Sequence, residues 1–166
     1  AIVIETIRDA YPKNRFLEII RKTSKRLNIP LIFDEITSGW RLNLGGAHLN
    51  FEISPDIAVF AKGMSNGYPM AAVIGTKDTM EAALTTFISS TYWTEKIGPV
   101  AAIATITKMR ERKVYSYLSK VGKKVQDGWR ILAKKYNLDI KVSGIYPLGH
   151  LSFNYNNSNA IMTLFT

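Results

Sequence analysis

Short apolar runs alternate along this chain with stretches of helical periodicity, and that alternation restricts the fold more than any single motif does. Residues 1–5 (AIVIE), 31–34 (LIFD), 57–61 and 70–74 are strand-length runs rich in Ile, Val, Leu, Phe and Ala. Continuous runs of this kind mark strands covered on both faces rather than half-wet strands. Between the first two, apolar side chains at Phe16, Leu17, Ile19, Ile20 and Leu27 have the spacing of an amphipathic helix, and Pro30 stops that helix ahead of the next strand. Gly63, Asn66 and Gly67 supply turn signals between the third and fourth runs. The expected fold class is α/β, with a sheet buried on both faces.

The second half changes texture. Pro99 suits a helix's first turn, and a helix is expected from there to about Glu111. A second follows, with Val114, Leu118, Val121, Val125, Trp129, Leu132 and Tyr136 forming one apolar seam at steps of three and four. Gly122 and Gly128 weaken it slightly. Beyond Asn137 come two short strand-like pieces, DIKVSG and HLSFNY, broken by Pro147 and Gly149. A boundary near Arg112 divides the chain into residues 1–112 and 113–166. The chain opens inside a strand-like run and closes on SNAIMTLFT, a helix start, and so looks cut from something longer.

Composition narrows the function classes. With 46% hydrophobic and 21% charged residues over 166 positions, the chain can bury a real core. No run approaches the roughly 20 apolar residues of a membrane-spanning helix. The absence of cysteine removes disulfides and thiolate metal sites and fits a reducing compartment, so the cytoplasm is expected. The net charge of +9 would suit an anionic partner, yet many of the cations between Lys108 and Lys135 alternate with apolar residues at helical spacing, as on a solvated helix face. No nucleic-acid motif accompanies them, and no nucleic-acid partner is expected. His48 and His150 have neither triad nor metal spacing and are expected to be structural or surface residues, so no metal is expected.

Chemistry-bearing residues concentrate at two strand ends. Asp34 closes the second run, where open α/β sheets place their ligands. Lys62 follows the third run and precedes GMSNG, so it leaves the same sheet edge in a glycine-loosened turn. Alone, Asp34 could be a turn or cap residue and Lys62 a surface lysine. Together they are what aldehyde-cofactor chemistry requires, an amine to form the Schiff base and a carboxylate to keep a pyridine nitrogen protonated.

The stretches FDEITSGWR (33–41) and PDIAVFAKGMSNGYPMAAVIG (55–75) resemble the lysine-bearing core of class III, pyridoxal-phosphate-dependent aminotransferases, most of all their glutamate-1-semialdehyde aminomutase-like members. The resemblance implies part of a fold type I large domain over 1–112, followed by the start of an α+β small domain over 113–166. It implies pyridoxal 5'-phosphate as cofactor, with Lys62 as the Schiff-base lysine, Asp34 as the pyridinium partner and Ile36 packed against the ring. Thr94 in STYWTEKIGP falls on the threonine that reaches a neighbouring subunit's cofactor phosphate, with Ser90 and Thr91 as competitors and helix capping as the alternative. It thereby implies a homodimer with shared active sites, acting on a small amino donor and a keto or aldehyde acceptor. Glu5 matches a wall residue of the site. The chain departs from the family at Thr37, where many relatives carry Gln against the ring oxygen, and in the shorter segment IRDAYP. Decarboxylation and racemisation would use the same electron sink, and a non-catalytic basic binding module is the alternative from another class.

Overall fold

The computed structural model describes residues 1–7, 14–91 and 94–166; most of the IRDAYP segment, and Tyr92 and Trp93 of STYWTEKIGP, lie outside the described residues. Four strands form the main sheet in the order β1 (Ile2–Glu5), β2 (Leu31–Asp34), β3 (Ile57–Phe60) and β4 (Ala72–Gly75). β1, β2 and β3 run parallel, with Glu5 opposite Asp34 and Asp34 opposite Val59, while β4 returns antiparallel on the edge of β3. The parallel arrangement brings the C-terminal ends of three strands to one edge of the sheet, where Glu5 and Asp34 end β1 and β2 and Lys62 follows β3.

Helix α1 (Asn14–Arg26) crosses from β1 to β2. It seats Leu17 against Leu31 and Phe33, all three buried, with Ile2, Ile4, Ile20, Phe51 and Ile53 packed around them. Burying a side chain the size of Phe33 contributes about 2–3 kcal/mol. Basic Lys25 and Arg26 sit in the last turn of α1, where they complement the helix dipole. A second anchor fixes the start of the strands. The Arg21 guanidinium donates to Asp56 through Nη1 at 2.8 Å and Nη2 at 3.1 Å, and Asp56 also accepts the Leu31 backbone N–H at 2.7 Å. These bonds, led by those from Arg21, hold the Asp56 carboxyl below its ordinary range.

After β4 come α2 (Lys77–Glu81), the long α3 (Ile97–Arg112) and α4 (Val114–Lys135). Lys113 joins the last two in a left-handed conformation with φ 48°. α3 covers the β3 end of the sheet, with Ala102 and Ile106 packed on Ala58, Phe60 and Met64. β5 (Ile140–Ser143) and β6 (His150–Phe153) form an antiparallel hairpin, and α5 (Ser158–Phe165) lays the Phe165 ring edge-on against Phe153. No helix among the described residues is long and apolar enough to cross a membrane.

Two expectations differ from what is found. The sheet is not covered evenly on both faces, since Val3 of β1 and Val73 and Ile74 of β4 remain exposed while Leu31 and Phe33 of β2 are buried. Edge strands have one neighbour each, and the helices of this chain pack over the middle. The expected seam of α4 is also not its buried line. Val121, Val125, Leu132 and Tyr136 are exposed, whereas Gln126 and Ala133 are buried. Gly122 explains the rotation: a Cβ there would stand 1.8 Å from the Tyr146 carbonyl oxygen. The helix therefore turns its Gly122 side to the 3-10 turn Tyr146–Leu148, and Gln126 Nε2 donates to the Gly144 and Ile145 carbonyls at 3.4 and 3.3 Å.

Candidate active site

The turn after β2 is built around a carboxylate. Glu35 extends the strand by donating its backbone N–H to Val59 at 2.9 Å, and its side chain then turns into the core, wholly buried. Its two oxygens accept hydrogen bonds from Thr6 Oγ1 at 2.9 Å, Ser38 Oγ at 2.6 Å, the Ala47 N–H at 2.9 Å, the His48 N–H at 3.0 Å and His48 Nδ1 at 2.9 Å. Burial alone would raise this carboxyl's pKa, but the bonds from His48, Ser38 and Ala47 outweigh it and hold the group below the ordinary carboxylate value. One ionised side chain thus joins the end of β1, the turn after β2 and the 3-10 turn Ala47–Phe51. Gly39 completes the turn, because a Cβ there would meet the Glu35 carbonyl at 2.7 Å and the Phe60 ring at 2.9 Å.

On this scaffold Asp34 Oδ1 accepts the Ile36 N–H at 2.9 Å. Its other oxygen, Oδ2, has no hydrogen-bond partner among the described residues, and the side chain is half-buried. Ile36 is half-buried beside it. Lys62 opens the 3-10 turn Lys62–Met64 with φ 41°, a left-handed conformation for a residue with a side chain. Its Nζ donates to Thr37 Oγ1 at 2.7 Å. The amine enters a cavity of about 430 Å³ lined by Glu5, Thr37, Lys62, Leu148, Gly149 and His150. Lys62 also lines a second cavity of about 530 Å³, with Trp40, Arg41 and Lys108 in its wall.

Of the residues singled out in the sequence, Asp34, Ile36 and Lys62 lie on adjoining strand ends, and Glu5 shares a cavity with Lys62. Neither cavity's lining includes Asp34, Ile36 or Thr94. Thr94 is exposed ahead of α3, and that helix is capped by Glu95 instead, whose carboxylate accepts the N–H of Ile97 and, at 2.9 Å, of Gly98. Sequence reasoning missed Glu35 and the Lys62–Thr37 contact. The available signal for Glu35 was an acid directly after a strand with a serine three positions on. His48, expected to be structural or at the surface, is the partner of that acid.

The strand ends thus bring a carboxylate, Asp34, and a primary amine, Lys62, to one edge of the sheet. The family model described as aminotransferase class-III matches residues 1–155. A 3-aminobutyryl-CoA aminotransferase from Cloacimonas acidaminovorans is 33% identical over 143 residues, covering 86% of this chain and 34% of the relative. A glutamate-1-semialdehyde 2,1-aminomutase from Nitrosopumilus maritimus is 42% identical over 115 residues, covering 66% of this chain and 27% of the relative. Among solved structures, the FumI protein of Sphingopyxis sp. MTA144 in its PLP internal aldimine form superimposes with a TM-score of 0.85 at 22% identity, covering 90% of this chain and 37% of that one. Ornithine aminotransferase from Plasmodium yoelii gives 0.81 at 19% identity, with 98% and 45% covered. The chain spans about a third of the length of the curated relatives it matches. With a match running from its first residue to 155, the chain belongs to the class-III aminotransferases.

Proposed function

We propose that the protein containing this chain moves amino groups with pyridoxal 5'-phosphate, by transamination between an amino donor and a keto or aldehyde acceptor or by the related internal 2,1-shift. The observation that carries this reading is the placement of Lys62 and Asp34 on adjacent parallel strand ends, with the Lys62 amine entering the cavity between Glu5 and His150. The residues fit the cofactor at two points. Asp34 keeps one carboxylate oxygen without a partner among the described residues, as a pyridine N–H would need, and Lys62 offers a primary amine past the neighbouring strand.

When bound, the cofactor supplies an aldehyde that takes up an amino group and a ring that accepts electrons. Asp34 would hold the ring nitrogen's proton, with Oδ1 fixed by the Ile36 N–H so that Oδ2 is left to accept it. Ile36, half-buried beside it, would offer the ring an apolar contact. Lys62 would hold the cofactor through its amine, and its Nζ, once free, would be the group that moves a proton. Glu5 and His150 wall the cavity that Lys62 also lines.

We further propose a homodimer in which Thr94 serves the phosphate of the neighbouring subunit's cofactor, a division of the chain into a large-domain part over 1–112 and a small-domain part over 113–166, and a cytoplasmic location. Exposed Thr94 beside the exposed apolar side chains of α3 (Ile97, Val100 and Ile103) supports the dimer. Reduction of the cofactor-loaded protein with borohydride, followed by peptide mapping, tests the central assignment. The pyridoxyl group is expected on Lys62, and its recovery on another lysine would overturn the reading.

A further inference from the structure

A lysine side chain leaving a turn has four rotatable bonds and samples many directions unless something holds its end. Here something does. The Lys62 amine donates to Thr37 Oγ1 at 2.7 Å, and Thr37 is itself fixed on both sides. Behind it, Asp34 Oδ1 accepts the Ile36 N–H at 2.9 Å and the buried Glu35 carboxylate anchors the turn. Ahead of it, Arg41 Nε donates to the Thr37 carbonyl at 3.4 Å. The hydroxyl is thus presented from a heavily hydrogen-bonded turn, one that follows directly on Asp34.

We infer that Thr37 is a positioning residue for Lys62. Its oxygen can accept an N–H from the charged amine and equally from the neutral one, so the contact survives deprotonation and leaves the nitrogen lone pair aimed away from Thr37, into the cavity with Glu5 and His150. A single hydroxyl so placed sets the direction from which the amine attacks a carbonyl carbon and from which it later moves a proton. It also ties the amine to the turn that carries Asp34, so the two groups keep a fixed separation. The inference rests on the reading of Lys62 as the cofactor-bearing lysine.

The test uses the whole protein freed of cofactor, mixed with pyridoxal phosphate. Capture joins Nζ to the aldehyde carbon and releases one water, with no change of oxidation state, and its rate is followed by absorbance and its site mapped after borohydride reduction. Thr37→Val keeps the shape and removes the acceptor; Thr37→Ser keeps the acceptor. Thr37→Val is expected to slow capture about tenfold, the scale of one ordinary net hydrogen bond, with its melting temperature unchanged, while Thr37→Ser stays within about twofold of wild type. Should Thr37→Val fold poorly, Thr37→Ala is expected to show the same slowing. Capture on Lys62 at the wild-type rate in Thr37→Val or Thr37→Ala, or a Thr37→Ser rate as slow as theirs, would overturn the positioning role and leave Lys62 as the carrier. Capture by wild type on a different lysine would overturn both readings together.

Discussion

His48 Nδ1 lies 2.9 Å from Oε1 of a Glu35 carboxylate that has no exposed surface, and the His48 backbone N–H reaches the same oxygen. A buried acid with five hydrogen bonds is costly to disturb. Glu35→Gln removes the charge and turns one acceptor into a donor facing other donors, so a loss of about 2–4 kcal/mol is expected in urea unfolding. The pH dependence has a definite sign. Because the folded pKa of Glu35 is lowered from 4.5, its contribution is fully present above that value and is lost as pH falls below it. Asp56, lowered from 3.8 chiefly by Arg21, adds a further loss toward acid. Wild type is therefore expected to lose stability below about pH 4.5 more steeply than Glu35→Gln, and parallel slopes would show that Glu35 is not the group responsible.

Asp34→Asn separates binding from chemistry. The amide can still fill the space but cannot hold a ring nitrogen protonated, so cofactor binding should persist while turnover falls by roughly 10³-fold or more. Spectroscopic titration with the cofactor, alongside steady-state rates, distinguishes this from a folding defect. Turnover near wild type would remove Asp34 from the mechanism.

The proposed sharing of sites can be tested by mixing two inactive proteins. If Thr94 serves the neighbouring subunit, Lys62→Ala and Thr94→Ala subunits exchanged into hybrids should regain part of the wild-type activity, since one site per hybrid then keeps both residues. Absence of recovery despite demonstrated subunit exchange would place the action of Thr94 within its own chain.

Two glycines of α4 make opposite predictions. At Gly122 an added methyl would collide with the Tyr146 backbone, so Gly122→Ala should cost about 2–3 kcal/mol through overpacking. At Gly128 a Cβ would meet nothing within 4 Å, so Gly128→Ala should stabilise by about 0.5–1 kcal/mol through helix propensity. Thermal unfolding of both variants decides whether α4 is rotated as described.

The strands, the helices and the strand-end placement of Asp34 and Lys62 were legible because each leaves a local signature. Strand-length apolar runs bounded by Pro30 and Gly63 gave β2 and β3 nearly to the residue, and Asp34 and Lys62 stood out because sheet topology carries strand ends to one edge. What the sequence hid was contact between distant segments. Nothing local marks Glu35 as the acceptor for Thr6 and His48, which are 29 and 13 residues away. Nor does any period mark Thr37 as the partner of an amine 25 residues on. The α4 seam misled for a related reason: periodicity identifies an apolar stripe, but steric access at Gly122 and the carbonyls offered to Gln126 decide which side is covered.

Ile145 is buried against Ile7 and Ala47, with Leu42, Phe51 and Leu148 around them, and on its other side its carbonyl is held by Gln126 of α4. The residues that follow, Leu148, Gly149 and His150, face the Lys62 amine across the cavity. That wall is consequently set before any substrate arrives, its backbone clamped between a helix and the end of the main sheet. On the proposed function, a substrate would meet a wall of fixed shape, and little of its binding energy would go to ordering it. On that reading, enlarging the side chain at Leu148 is expected to lower kcat/KM for bulky donors more than for small ones.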